Sequence, residues 1–271
     1  MKDVKRALQN GEVLIGATIM SGSAVNVEIL GYLGYDFVWI DTEHAPTSPL
    51  GKEMQELIRA AYAADITPLV RVIHNDLSQI RKALDFGAKG IIAPFINTID
   101  DARKLVKSCL YPPEGERGAC PAVRATGYGT MNWIQYAKSS NEEIIVSAIL
   151  EREEAVRNAE EICSVQGINL VWRGFLDLAM DLGIANGGSA LSESMELMAD
   201  PLIEKYTKKI IDVAREHGVY LGDVAFNSDS ALELAKKGFQ MISFPPDTVV
   251  YAGIAKKSLA EARAAIKNIK S

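Results

Sequence analysis

Short apolar segments alternate with longer amphipathic segments along the chain, a pattern typical of proteins built from alternating strands and helices. Eight of the short segments, many rich in β-branched residues, predict strands: Leu14–Ile19, Phe37–Asp41, Pro68–Val72, Gly90–Pro94, Ile144–Glu151, Leu170–Trp172, Val219–Asp223 and Gln240–Phe244. The segments between them carry apolar residues at helical spacing and predict these helices: Gly51–Ala64, Leu77–Phe86, Asp100–Ser108, Glu153–Cys163, Leu202–Glu216, Ser230–Lys237 and Ala255–Ile269.

Eight strand–helix units in 271 residues predict an α/β protein of the (β/α)8 barrel type, for which about 250 residues is typical. An open doubly wound sheet is the alternative. It would be expected to carry a Gly-rich turn after an early strand, but the first strand is followed only by Met20-Ser21-Gly22-Ser23. No low-complexity linker or charge block divides the chain, so residues 1–271 are expected to form a single barrel domain.

The composition excludes several classes of protein. Hydrophobic residues make up 48% and charged residues 24% of the chain, which rules out bulk disorder. The net charge of −6 gives no reason to expect a nucleic-acid or anionic-membrane partner. No run of about 18 apolar residues predicts a transmembrane helix, and the first residues lack the apolar core of a signal peptide.

The chain has three cysteines and three histidines, and no C-x-x-C pair. Neither a Cys/His zinc site nor a disulfide scaffold is therefore expected, and the composition fits a reducing cytoplasm. If a metal binds, its protein ligands should be carboxylates, which favour Mg²⁺, Mn²⁺ or another hard divalent cation.

Charged residues stand at the ends of several predicted strands. The second strand runs into Asp41-Thr42-Glu43-His44, the third contains Arg71, the fifth ends at Glu151, the sixth leads to Asp177 and the seventh ends at Asp223. Because the chemistry of a barrel lies at the C-terminal ends of its strands, these residues predict a ring of charged groups on one face. The alternative for each is a structural role, such as an ion pair between Arg71 and a neighbouring carboxylate.

Four segments, Phe37–His44, Pro68–Val72, Ala83–Pro94 and Tyr111–Gly118, contain in order the patterns D-x-E-H, P-x-V-R-V, LD-x-GA-x-GI-x-x-P and YPP-x-G-x-RG. Together they resemble the class II pyruvate-dependent aldolases of the HpcH/HpaI aldolase and citrate lyase family. The resemblance implies a TIM barrel of the phosphoenolpyruvate/pyruvate type. It also implies reversible, metal-dependent aldol cleavage of a 4-hydroxy-2-oxo acid to pyruvate and an aldehyde through a metal-bound enolate.

By the same resemblance, Glu151 and Asp177 would hold the divalent metal cation, which would be Mg²⁺, Mn²⁺ or Co²⁺. The backbone around Gly174 and Leu176 would hold the substrate carboxylate. Both metal ligands are present in the matching positions, so the resemblance extends to the predicted metal site.

The resemblance also assigns roles near the second and third strands. Arg71 would be the catalytic arginine and would bind substrate, and His44 would be the acid/base histidine. Asp41 and Asp85 would be supporting acids, and one or the other would orient His44.

Beyond the site, the resemblance implies a homohexamer in which the C-terminal helix, about residues 255–269, packs on a neighbouring subunit. The segment Arg117–Met131 is a candidate loop over the site, with a plain surface insertion as the alternative. The expected partner is a small-molecule 2-oxo acid, and the sequence does not identify the aldehyde.

Three residues depart from the family pattern around the predicted metal ligands: Ile149, Phe175 and Ala179. Ile149 replaces a glutamine that would help to hold the keto oxygen. Two alternative functions therefore stay open: decarboxylation or malyl/citramalyl-type lyase chemistry on a related acid, and a non-catalytic barrel.

Overall fold

The structure is a computed structural model that describes residues 1–185 and 196–267. Its parallel strands close into a barrel in chain order: β1 (Leu14–Ile19), β2 (Phe37–Asp41), β3 (Thr67–Arg71), β4 (Gly90–Ala93), β5 (Ile145–Leu150), β6 (Leu170–Arg173), β7 (Tyr220–Val224) and β8 (Met241–Phe244). β8 pairs with β1 to complete the barrel. The predicted (β/α)8 barrel is confirmed, and each predicted strand boundary lies within one residue of the observed boundary.

The helices whose bounds are described are α1 (Val4–Gln9), α2 (Ala24–Tyr32), α3 (Lys52–Ala63), α4 (Leu77–Phe86), α5 (Ile99–Cys109), α6 (Trp133–Glu143), α7 (Glu153–Arg157), α8 (Ala159–Cys163), α9 (Phe175–Asp181), α10 (Pro201–Glu216), α11 (Ser228–Lys237) and α12 (Asp247–Lys267). A 3₁₀ segment covers Arg124–Gly129. No helix in the described ranges is both long enough and apolar enough to cross a membrane.

The structure corrects the helix predictions in three ways. The helices α1, α2, α6 and α9 were not predicted, and in α2 this is because exposed apolar residues such as Tyr32 obscure a single buried face. The predicted helix Glu153–Cys163 is broken at Asn158 into α7 and α8. The predicted helix Ala255–Ile269 begins earlier, at Asp247, and its last two residues lie outside the described ranges.

The core has two layers because successive strand residues point to opposite faces. One cluster fills the barrel interior and includes the side chains of Phe37, Trp39, Leu69, Ile149 and Trp172. A second cluster lies between the strands and the surrounding helices. Three residues of α1 join the interior cluster, so α1 closes one end of the barrel.

Candidate active site

Three charged residues and a glycine follow interior core residues at the C-terminal ends of β2, β3, β5 and β6. Each lies two positions beyond an interior side chain and therefore shares its inward orientation: Asp41 follows Trp39, Arg71 follows Leu69, Glu151 follows Ile149, and Gly174 follows Trp172. The alternation of the strands thus brings together the predicted residues Asp41, Arg71 and Glu151.

Arg71 and Asp41 form a bidentate ion pair across β2 and β3. The guanidinium donates from Nε to Oδ1 at 3.0 Å and from Nη2 to Oδ2 at 2.6 Å. Its Cζ atom lies 5.1 Å from the ring centroid of Trp39, so an aromatic face supports it from one side. This arrangement fixes the orientation of the guanidinium.

Glu43 is a site residue for which no role was predicted, although it belongs to the D-x-E-H motif. Its Oε2 atom lies 3.1 Å from Arg71 Nη1. Burial raises the pKa of Glu43 to about 7, and the charges of Asp41 and Asp177 add to this rise while Arg71 opposes it. The D-x-E-H pattern could have identified it, because Glu43 lies only two residues beyond the inward-facing Asp41.

Glu151 is buried at the end of β5. Its Oε1 atom accepts a 2.7 Å hydrogen bond from the backbone N–H of Phe95, a residue held at a positive φ of 56°. Burial raises the pKa of Glu151 to about 7; the Phe95 hydrogen bond opposes this, and the charges of Asp177 and Glu43 add to it. Glu151 is therefore a carboxylate that a nearby cation would stabilise strongly. No sequence signal marks Phe95, because positive φ is rare for a bulky residue.

Asp177 lies in the first turn of α9, directly after β6, and its side chain is exposed. Its charge raises the pKa of both Glu43 and Glu151, which places the three carboxylates within electrostatic reach. Within the described residues, 1–185 and 196–267, no group of three or more Cys, His, Asp or Glu side chains is arranged to hold a metal ion. Glu151 and Asp177 would therefore supply only part of a coordination shell.

Gly174 has no room for a side chain. A Cβ atom there would lie 2.4 Å from Glu151 Cβ, so the backbone of β6 rests directly on the glutamate. The Gly174 N–H donates to Leu150 O at 3.1 Å and is therefore occupied by the sheet. Leu176 is the second residue of α9, where a backbone N–H has no acceptor within the helix. Of the two predicted carboxylate-binding positions, only Leu176 has a free helical N–H.

His44 lies at the edge of the group, with 60% of its side chain exposed. Its Nε2 atom is 3.7 Å from Glu43 Oε2, whereas Asp41 contacts only the His44 backbone N–H, at 3.4 Å. The imidazole is therefore adjacent to Glu43, and the predicted side-chain contact with Asp41 is not formed.

Asp85 does not join the other predicted residues within this chain. It lies in the last turn of α4, which runs back towards the N-terminal end of the barrel, and it pairs with the buried Arg117 at 3.2 Å. Burial raises the pKa of Asp85, and Arg117 opposes that rise. The expected support of His44 by Asp85 is thus not formed here, because the helix direction separates them.

Asp223 is also absent from the predicted ring. It follows the inward-facing Gly222 by one residue, so it points into the helix layer, where it is paired with Arg173. Counting alternate positions along β7 could have predicted this orientation.

The segment 117–131 packs at the opposite end of the barrel from the strand-end carboxylates. Arg124 lies 4.1 Å from the ring of Tyr62, near the end of α3, and donates to Phe86 O at the end of α4. Within this chain, the segment is a surface insertion rather than a loop over the site.

Comparison with known proteins supports the motif-based resemblance. The sequence profile of the HpcH/HpaI aldolase/citrate lyase family matches residues 18–252. A hydroxypyruvate/pyruvate aldolase of Rhizorhabdus wittichii is 32% identical over 264 residues, which covers 97% of this chain and 100% of the relative. A 2-keto-3-deoxy-L-rhamnonate aldolase of Escherichia coli is 30% identical over 257 residues, covering 94% and 91% of the two chains.

The fold is also similar to that of a family member whose structure has been solved. The crystal structure of an HpcH/HpaI aldolase/citrate lyase family protein from Burkholderia cenocepacia aligns with a TM-score of 0.87 and 27% identity, covering 97% of this chain and all of the other. The predicted enzyme class, an aldolase and hence a carbon–carbon lyase, is confirmed. The chain belongs to the HpcH/HpaI aldolase/citrate lyase family.

Proposed function

We propose that the protein catalyses reversible, divalent-metal-dependent aldol cleavage of a 4-hydroxy-2-oxo acid to pyruvate and an aldehyde. The observation that carries the proposal is the position of the Arg71 guanidinium, which lies beside a cluster of carboxylates that includes the buried Glu151. The names of the relatives, a hydroxypyruvate/pyruvate aldolase and a 2-keto-3-deoxy-L-rhamnonate aldolase, support a small 2-oxo acid as substrate.

Glu151 and Asp177 would hold the divalent cation. The residues fit such an ion because burial and neighbouring negative charge make ionised Glu151 unfavourable without a nearby positive charge. With two oxygen ligands from the protein, the other coordination positions are left to substrate and water. Hard cations such as Mg²⁺ are commonly bound in this way. When bound, Mg²⁺, Mn²⁺ or Co²⁺ would supply Lewis-acid stabilisation of the negative charge that develops on the C2 oxygen.

Arg71 would direct a second positive charge at the same oxygen. Asp41 accepts from Nε and Nη2, which holds the guanidinium plane without consuming all of its N–H groups. A donor held in place before the reaction needs little reorganisation when charge develops, and this is the basis of oxyanion stabilisation.

His44 would remove the proton from the C4 hydroxyl of the substrate, directly or through water. Its exposure and its position beside Glu43 leave the imidazole accessible from the open end of the barrel. Imidazole suits this task because it titrates near neutral pH. The Leu176 N–H, at the start of α9, would bind the substrate carboxylate.

A homohexamer in which α12 packs on a neighbouring subunit is part of the proposal. No described side chain of α12 is buried, and the large apolar residues Val250, Tyr251 and Ile254 are exposed. A cavity of about 600 Å³ lies between this helix and α2. A partner covering this apolar surface would remove it from water.

The free thiols of Cys109, Cys120 and Cys163 support a reducing compartment such as the cytoplasm.

Exchange of the methyl protons of pyruvate in deuterated water tests the proposed reaction without knowledge of the aldehyde. We expect exchange with Mg²⁺, Mn²⁺ or Co²⁺, its loss on chelation with EDTA, and recovery when metal is restored. Full exchange in EDTA would exclude metal dependence, and no exchange with any metal would exclude enolate formation from pyruvate. Parallel assays of pyruvate release from oxaloacetate and from hydroxy-oxo acids distinguish decarboxylation from aldol cleavage.

A further inference from the structure

A buried ion pair lies beneath the strand end that leads to Asp177. Arg173, the last residue of β6, contacts Asp223 of β7 at 2.6 Å between Nε and Oδ2, and the two side chains are 2% and 0% exposed. Both point into the layer between the strands and the helices. Removing two charges from water is costly, and apolar replacements of such pairs are often neutral or stabilising. A contribution to fold stability therefore does not explain the presence of this ion pair.

The Arg173 guanidinium connects several elements. Its Nη1 atom donates to Thr207 Oγ1 of α10 at 2.8 Å. Its Cζ atom lies 5.3 Å from the ring centroid of Phe175, the first residue of α9. One side chain thus joins β6 and β7 to the helices that follow β6.

The start of α9 depends on this packing because it has no side-chain cap. Phe175 is buried and meets Phe226 edge to face, with ring centroids 6.2 Å apart. Asp177 follows two residues later on the exposed side of the same turn. How Phe175 is held therefore determines where the carboxylate of Asp177 lies.

The same strand end also contacts Glu151. The Gly174 N–H donates to Leu150 O at 3.1 Å, and the Gly174 backbone leaves no room for a Cβ atom beside Glu151. A shift of the β6 end would consequently move the two carboxylates relative to each other.

We propose that the Arg173–Asp223 ion pair is a positioning device that fixes the end of β6 and the first turn of α9, so that Glu151 and Asp177 face one divalent cation. The inference rests on the proposed function for the presence of that cation. Partners that hydrogen-bond metal ligands directly typically change metal affinity by about 10- to 100-fold when they are removed. We expect an effect of this order from the Arg173–Asp223 pair, which acts through Phe175 and the backbone at Gly174.

The test uses the double variant Arg173→Met/Asp223→Leu, because removal of one partner alone leaves a buried unpaired charge. The matched control is Lys89→Gln/Glu143→Gln, which removes a half-exposed 3.3 Å ion pair between a strand start and a helix end. Arg173→Lys keeps the charge opposite Asp223 but loses the planar fork that also reaches Thr207. Amide hydrogen exchange of residues 174–181 is measured without metal, and Mn²⁺ affinity is measured by electron paramagnetic resonance.

In the double variant we expect a retained circular dichroism spectrum, about tenfold faster exchange at the start of α9, and Mn²⁺ binding weakened about 10- to 100-fold. Arg173→Lys should lie between this variant and the wild type, and the control should match the wild type. Unchanged exchange, or faster exchange with unchanged Mn²⁺ affinity, would overturn the inference. If the double variant does not fold, the same outcomes are judged on Arg173→Lys. A wild type that binds no Mn²⁺ would instead overturn the metal dependence of the proposed function, and with it the assignment of the pair to a metal site.

Discussion

The carboxylates around Arg71 differ in how their charge is compensated. Asp41 receives two hydrogen bonds from the guanidinium, whereas Glu43 has one close contact with it, and Glu151 receives a backbone N–H instead. Burial raises the pKa of both Glu43 and Glu151 to about 7. At the scale of single residues, the site therefore carries more negative charge than its one arginine neutralises.

Replacement of Arg71 with alanine should lower the turnover number about 10²- to 10³-fold, because a fixed oxyanion donor is lost. Steady-state kinetics of pyruvate release measures the effect. Arg103→Ala, which removes an exposed arginine paired only with Asp100, is the control and should leave turnover unchanged. An Arg71→Ala enzyme with wild-type turnover would refute the catalytic role.

Metal affinity should depend on pH around the pKa of Glu151. Because that pKa is raised to about 7, a proton occupies the carboxylate below this pH and competes with the cation. We expect the affinity for Mn²⁺ to fall about tenfold for each pH unit below 7 and to level off above 8. Titrations at several pH values measure this dependence.

Glu151→Gln should weaken Mn²⁺ binding at every pH and remove the part of the pH dependence that belongs to Glu151. Glu233→Gln, at an exposed glutamate paired with Lys236, is the matched control and should behave as the wild type. Equal pH profiles for Glu151→Gln and the wild type would show that another group controls binding.

At the scale of elements, the alternation of strand residues made most of the site predictable. Asp41, Arg71 and Glu151 each follow an interior apolar residue by two positions, so strand prediction also predicts their orientation. Asp223 follows an inward-facing residue, Gly222, by one position rather than two. Its outward orientation could therefore have been predicted from the same alternation. Asp85 could not be placed in this way, because its position depends on the length and direction of α4.

The contact between neighbouring strand ends yields a prediction for Gly174. Gly174→Ala places a methyl group against Glu151, so we expect weaker Mn²⁺ binding and lower turnover with a cooperative thermal transition retained. Gly118→Ala is the control, because Gly118 is exposed and a Cβ atom there would make only an ordinary contact, at 3.5 Å, with the Arg81 side chain. Calorimetry and Mn²⁺ titration compare the two, and wild-type binding in Gly174→Ala would contradict the close contact.

At the scale of the whole molecule, α12 has no buried side chain among its described residues, and the proposed hexamer would cover it. The double variant Tyr251→Lys/Ile254→Lys should shift sedimentation from a multimer to the mass of one chain, because it charges the apolar wall of the cavity beside α2. Lys257→Gln/Glu261→Gln changes exposed polar residues on the same helix and should leave the mass unchanged. A wild type that sediments as one chain would refute the hexamer.

The two-residue spacing between interior and site residues also limits how this barrel can diverge. Substituting Asp41 or Glu151 alters the chemistry and leaves Trp39 and Ile149 beneath them in place. One residue inserted into β5, however, would move every residue that follows it in that strand to the opposite face. Leu150 would then point inward in place of Glu151. New activities should therefore arise by substitution and loop change, and insertions should be confined to the segments between strands.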